Sequence, residues 1–163
     1  MRTSRLISVL AAAVIAVLAA PGAAHAATIS QPFAANSGDA CRYGTTAGTL
    51  NWHFGATSPL PGLGVDVKGT LTDHPQPIDP VTTCRDDGYY STVTFVAYAG
   101  SVEVDRQSRS ANNTTTSFTF ALGGSATTST VNRVVVQVCR SPLVTLPPSY
   151  CGAAVVYNPP PIA

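Results

Sequence analysis

The sequence predicts an all-β chain, and two features of its residue pattern support that prediction. Apolar side chains recur at every second position in most segments after residue 26. In GTLNWHF (48–54), for example, Leu50, Trp52 and Phe54 would share one face. Alternation of this kind is typical of strands with one buried face. No segment after residue 26 has capped apolar residues at helical spacing, so we expect almost no helix.

Six further segments fit strands for the same reason. They cover residues 63–72, 89–99, 101–106, 116–122, 131–139 and 153–157. In the first five, the apolar residues that would share a face are Leu63, Val65, Val67 and Leu71; Val93, Phe95 and Ala97; Val102 and Val104; Phe118, Phe120 and Leu122; and Val134, Val136 and Val138. The sixth, AAVVY, is a short last strand.

Turn-forming residues separate these segments. They are Ser58-Pro59, Pro61-Gly62, the proline-spaced run 73–80, Asp87-Gly88, Ala99-Gly100, Asn112-Asn113 and Gly123-Gly124. About seven or eight short strands with this turn spacing predict an antiparallel β-sandwich of immunoglobulin-like type. A small β-barrel is the alternative.

The N-terminus has the layout of a secretory signal peptide. A basic start (MRTSR) precedes an apolar stretch of about 15 residues, and the small-residue exit PGAAHA follows. We expect residues 1–26 to be cleaved after Ala26 and the product to be secreted and extracellular. Residues 27–157 would then form a single β-sandwich domain, and residues 158–163 a flexible tail.

All four cysteines lie beyond the predicted signal peptide, at Cys41, Cys84, Cys139 and Cys151. An even number of cysteines outside the cytoplasm indicates two disulfides. We favour Cys41–Cys84 with Cys139–Cys151, although the sequence alone leaves the connectivity open. Zinc is the alternative, but no C-x-x-C pair occurs and the histidines are distant in sequence.

The charge pattern argues against two classes of partner. Two of the nine basic residues, Arg2 and Arg5, would be removed with the signal peptide. The cleaved chain would then have seven basic and eight acidic residues, so its net charge would be close to zero. No basic patch is visible of the kind that nucleic-acid binding requires. No second apolar run is long enough to span a membrane, so we expect no membrane partner after cleavage.

The residues that could support catalysis are few, and we expect no enzyme, no metal and no cofactor. The G-x-S-x-G elbow of many serine hydrolases is missing. His53 and His74 are the only histidines after residue 26, and we interpret both as surface residues. A hydrolase that uses one of them stays an alternative. Asp86-Asp87-Gly88 fits a turn better than a calcium site, which needs about six oxygen ligands.

Two tyrosines are candidates for glycan binding. Tyr90 and Tyr98 would lie on the face opposite Val93 and Phe95, eight residues apart on one strand. Exposed rings there could form a platform for a sugar face. The alternative is that both are ordinary strand tyrosines, with a packed ring and a hydroxyl group in water.

The segment CRSPLVTLPPSYC (139–151) is the second candidate binding element. Its part VTLPPSYC resembles the reactive loop of Bowman–Birk-type protease inhibitors, although it is longer than the loop of that family. The resemblance implies that Val144 is the specificity residue, that Thr145 follows the scissile bond and that Pro147-Pro148 fix the bend. The residues presented would be Leu143, Val144, Thr145, Leu146, Pro147 and Pro148. The alternative is a hairpin stapled by its disulfide.

From these observations we expect a secreted, non-catalytic extracellular binding or structural module. The sequence does not identify its ligand, and a secreted protease or a cell-surface glycan are the two partners we consider. A protease inhibitor that uses the 139–151 loop is the first alternative, and a hydrolase is the second.

Overall fold

The chain forms two antiparallel sheets that face each other. The computed structural model describes residues 27–55, 64–74, 88–123, 130–144 and 148–161. Within these ranges the chain is all-β, and neither sheet closes into a barrel. The predicted antiparallel β-sandwich is therefore confirmed, and the barrel alternative is wrong.

The described residues contain nine strands. In chain order they are β1 (Ala27–Asn36), β2 (Gly44–Phe54), β3 (Gly64–Asp73), β4 (Tyr89–Ala99), β5 (Val102–Ala111), β6 (Thr115–Leu122), β7 (Arg133–Pro142), β8 (Tyr150–Cys151) and β9 (Val155–Tyr157). One sheet has the order β1-β2-β3-β6. The other has the order β5-β4-β7-β8, and β9 also pairs with β7. Most of the predicted segments thus match an observed strand.

The strand order leaves the finer immunoglobulin-like description unconfirmed. In an immunoglobulin constant domain the second and third strands belong to opposite sheets. Here β2 and β3 are direct antiparallel neighbours in one sheet, with Leu50 opposite Val67. The structure therefore establishes a β-sandwich and not that topology.

The core lies between the two sheets and is formed by the alternating residues. Its fully buried side chains include Leu50, Trp52, Val65, Val67, Leu71, Val93, Phe95, Leu122, Val134, Val136 and Val138. The indole N–H of Trp52 donates a hydrogen bond of 2.9 Å to the Gln31 side chain. Trp52 therefore contributes its full ring to the core without leaving a buried polar group unpaired.

A row of phenylalanine and glycine crosses the whole first sheet. Phe33, Gly48, Gly69 and Phe118 are successive cross-strand partners on β1, β2, β3 and β6. The Phe33 and Phe118 rings stack at 6.5 Å over the two glycines, and both rings meet Phe95 of the opposite sheet edge-on. A Cβ on Gly69 would lie 2.8 Å from the Phe33 ring. This contact explains why the apolar alternation of β3 is interrupted at Gly69.

Strand β1 was not predicted from the sequence. Pro32 lies in the middle of this strand, and proline is typical of edge strands because it cannot donate a ladder hydrogen bond. β1 is indeed an edge strand of its sheet.

The predicted signal peptide, residues 1–26, lies outside the described residues. The described residues contain no candidate for a membrane-spanning helix.

Candidate functional site

The two arms of the 139–151 loop are held together where they leave the sheet. Cys139 and Cys151 are directly opposed on β7 and β8 and form a disulfide, as predicted. Arg140 pairs with Tyr150 in the next step of the same ladder. Cys41 is also disulfide-bonded, and its predicted partner, Cys84, lies outside the described residues.

Hydrogen bonds continue beyond the ladder on both arms. The Ser149 hydroxyl donates to the Ser141 hydroxyl at 3.0 Å. The backbone N–H of Leu143 donates to the Gly88 carbonyl at 2.9 Å, and the Tyr89 hydroxyl donates to the Pro148 carbonyl at 3.4 Å. The start of β4 therefore supports both arms of the loop.

The outer part of the loop carries apolar side chains into solvent. Leu143 is 55% exposed and Val144 is 70% exposed, and Pro148 is also exposed. Three other residues predicted for this loop, Thr145, Leu146 and Pro147, lie outside the described residues. Large apolar side chains at this exposure, grouped on one loop, are typical of a binding surface.

Two tyrosines flank the exposed pair. The rings of Tyr89 and Tyr150 lie 5.6 Å apart between centroids, and both are half-buried. We call the surface formed by Tyr89, Leu143, Val144, Pro148 and Tyr150 the loop pole. Tyrosine rings offer a large contact area and lose little conformational entropy on binding.

A buried arginine lies beneath the loop pole. The Arg140 side chain is 1% exposed, and its guanidinium donates to the Asp73 carboxylate at 2.7 Å. It also donates to the Tyr89 carbonyl at 3.3 Å and lies 4.7 Å from the Tyr43 ring centroid. The guanidinium thereby connects β7, β4 and the start of β2.

The Asp73 carboxylate joins further elements to this ion pair. It accepts hydrogen bonds from the Ser91 hydroxyl at 2.6 Å and from the Asn113 backbone N–H at 2.9 Å. Ser91 belongs to β4, and Asn113 to the turn between β5 and β6. Because Asp73 ends β3 and Arg140 lies on β7, this ion pair connects the two sheets. This ion pair was not predicted from the sequence, because Asp73 begins the proline-spaced run 73–80, which was predicted to be a turn.

The predicted tyrosine platform is divided between two ends of one sheet. Tyr90 and Tyr98 do lie on the outer face of β4, but eight residues place them about 27 Å apart along the strand. The Arg133 guanidinium lies 4.4 Å from the centroid of the Tyr98 ring. Both tyrosines are half-buried, so the two rings do not form one continuous surface.

The structure gives His53 two polar neighbours on the outer face of the first sheet. Its Nδ1 lies 3.1 Å from the Thr28 hydroxyl, and its Nε2 lies 2.8 Å from an Asp66 carboxylate oxygen. A hydroxyl, an imidazole and a carboxylate in contact are the groups that the hydrolase alternative requires. However, the His53 and Asp66 side chains are 39% and 52% exposed on an open sheet face. Such exposure weakens electrostatic stabilisation, which works best where water is excluded.

The other polar groups considered from the sequence form no comparable cluster. The His74 backbone N–H donates to the Tyr43 carbonyl at 2.9 Å, which places His74 beside the start of β2. Asp86 and Asp87 lie outside the described residues, and no metal-binding group of three ligands occurs among those described.

On β5, the hydrogen bond from Arg106 holds the pKa of the Glu103 carboxyl below its ordinary value.

The loop pole is thus the surface that combines exposed apolar side chains, aromatic rings and fixed backbone. Comparisons with protein-family models, curated proteins and solved structures found no match to this chain.

Proposed function

We propose that this chain is a non-catalytic extracellular binding module and that its partner is a protein that docks on the loop pole. One observation carries the proposal: Leu143 and Val144 are exposed on a loop whose two arms are both held by the sheet. Two exposed apolar side chains on a well-supported loop lower the solubility of the folded protein. A binding role explains their exposure, because a partner would cover them.

Preorganisation is the physical reason why this loop suits binding. A flexible loop would lose conformational entropy when a partner orders it, and that loss reduces affinity. The Cys139–Cys151 disulfide and the hydrogen bonds at Leu143 and Pro148 restrict the arms before any partner arrives. Tyr89 and Tyr150 supply the residue type that is enriched among binding hot spots.

The extracellular part of the proposal is supported by cysteine chemistry. The disulfide between Cys139 and Cys151 is of the kind that persists in oxidising compartments and is rare in the cytosol. The basic start, apolar stretch and small-residue exit of residues 1–26 support export by the same reasoning.

A capture experiment tests the proposed function. The oxidised protein is immobilised and presented with a mixture of secreted proteins that includes proteases, with cell-wall glycans and with insoluble polysaccharides. We expect capture of a protein partner, and we expect the Leu143→Asp/Val144→Asp variant to lose it because two charges would enter an apolar contact. Val102→Asp is the matched control, since Val102 is 63% exposed at the opposite end of its sheet. Equal capture by the loop variant and the wild type would contradict the proposal.

Protease inhibition is a second candidate function, favoured by the 70% exposure of Val144. The resemblance to Bowman–Birk-type loops implies that this residue would enter the specificity pocket of the protease. We then expect sub-micromolar inhibition of an elastase- or subtilisin-like protease and its loss in Val144→Asp. Inhibition of equal strength by Val144→Asp and wild type would discard this candidate and leave the binding module in place.

The glycan alternative makes the opposite prediction. If an insoluble polysaccharide captures the protein and Tyr98→Ala abolishes that capture while the loop variant retains it, the binding surface is the outer face of β4. That result would contradict docking on the loop pole.

A further inference from the structure

A cavity of ≈ 400 Å³ lies between the β1–β2 hairpin and the segment that joins β8 to β9. Its lining comprises Ala34, Ala35, Asn36, Arg42, Thr45, Thr46, Ala47, Ala153 and Val155. This volume is near the lower end of the range for small-molecule sites. We propose that the cavity binds a short-chain aliphatic carboxylate, with the acid group at Arg42 and the alkyl chain against the alanines. This inference is independent of the proposed function.

Two contacts hold the C-terminal segment across the edge of β1 and leave the cavity between them. At one side Gly152 packs so closely that an added Cβ would lie 3.0 Å from the carbonyl carbon of Asn36. At the other side the Tyr157 hydroxyl accepts from the Ala34 N–H at 2.9 Å and donates to the Ala34 carbonyl at 3.0 Å. The wall of the cavity is therefore fixed at both ends by packing and hydrogen bonding.

Small side chains keep the space open. Four of the nine lining residues are alanine, and Val155 is the largest apolar one. Ala34, Ala47 and Ala153 are exposed, so the cavity is accessible from solvent. An unbranched alkyl chain would contact these small apolar side chains along its length.

Arg42 provides the charge that selects an anion. It is the one charged residue in the lining, and among the described residues it takes part in no ion pair. Its backbone has a φ of 48°, a conformation that non-glycine residues rarely adopt. The nearby Asp39 carboxylate is used internally, because it accepts from the Ser37 hydroxyl and from the Tyr43 N–H.

The hydrogen bonds of the 36–44 turn hold Arg42 in place. The Asn36 side chain accepts from the Gly38 N–H at 2.9 Å, and the Arg42 N–H donates to the Asp39 carbonyl at 3.1 Å. The Gly44 N–H donates to the Ser37 hydroxyl at 3.0 Å. A positive group on a fixed turn beside an apolar floor is the arrangement that an aliphatic carboxylate requires.

Titration of the oxidised protein with hexanoate, followed by ¹⁵N–¹H correlation spectra, tests this site. We expect saturable shifts at the amides of Asn36, Thr45, Ala47 and Ala153. Hexylammonium, which has the same alkyl chain and the opposite charge, should produce no saturable shift there. Shifts confined to other parts of the protein, or equal binding of the two probes, would overturn the proposal.

Three variants sharpen the test. Arg42→Asn removes the charge and retains a residue that tolerates positive φ, so we expect at least tenfold weaker hexanoate binding from an intact fold. Ala153→Leu fills the cavity from a position outside any strand and should weaken binding equally. Lys68→Asn changes the net charge by the same amount on the exposed face of β3 and should leave binding unaltered. Unaltered binding by Arg42→Asn or by Ala153→Leu would refute the site.

Discussion

Replacing Asp73 with alanine is expected to lower the free energy of unfolding by about 3–5 kcal/mol. The reason is that Arg140, 1% exposed, would keep its charge in the protein interior without the carboxylate that balances it. The same change removes the acceptor for the Ser91 hydroxyl and the Asn113 N–H. Urea denaturation measures the effect as a lower midpoint with an unchanged slope.

The double variant Asp73→Leu/Arg140→Met separates charge burial from loss of packing. Replacing both partners of a buried ion pair by apolar residues is often neutral or stabilising, so much of the lost stability should return. Glu103→Ala is the control, because it breaks the ion pair with Arg106 on the exposed face of β5. We expect no measurable shift from this control. A midpoint for Asp73→Ala equal to that of the wild type would contradict the role assigned to the pair.

Replacing Phe33 with alanine is expected to cost a similar amount, about 3–5 kcal/mol. Phe33 is 3% exposed and its ring covers the Gly48–Gly69 pair, which has no side chain of its own to fill the space. Its loss also removes the edge-on contact with Phe95, at 5.2 Å between centroids. The resulting cavity would open directly between the two sheets.

Thermal or urea unfolding of Phe33→Ala and Phe33→Leu measures this contribution. The leucine variant retains apolar volume and should lose less stability than the alanine variant. Val156→Ala is the control from the short strand β9, where the side chain is 53% exposed and a change within about 0.5 kcal/mol is expected. If Phe33→Ala matched this control, the aromatic row would have no structural role.

The strand that the sequence predicted best is β4, in the middle of the second sheet. The segment 89–99 coincides with β4, because the apolar residues Val93, Phe95 and Ala97 recur at every second position on its inward face. The segment 101–106 is shorter than β5, which continues to Ala111. Alternation fails in the added part because Gln107 and Arg109 take inward positions at the edge of the sheet, opposite Phe95 and Val93.

Polar contacts between distant segments could not be predicted in the same way. Arg140 follows Cys139 directly and has the sequence context of an exposed loop residue. Nothing in the sequence distinguishes it from the other arginines, since its burial depends on Asp73, 67 positions earlier. The approach of Thr28 and Asp66 to His53 was missed for the same reason: it depends on the register of three strands.

The candidate site was predicted in part. The disulfide between Cys139 and Cys151 and the loop it closes followed from the spacing of the cysteines. The contribution of Tyr89 and Tyr150 did not, because the two rings come together beside the loop only when β7 pairs with both β4 and β8.

Amide hydrogen exchange with and without the captured protein partner tests the central claim, docking on the loop pole, most directly. We expect slower exchange at the amides of Tyr89, Leu143, Val144 and Tyr150 in the complex, and unchanged exchange at the amides of β3 and β6. Unchanged exchange at these four amides, together with protection on another surface, would contradict it.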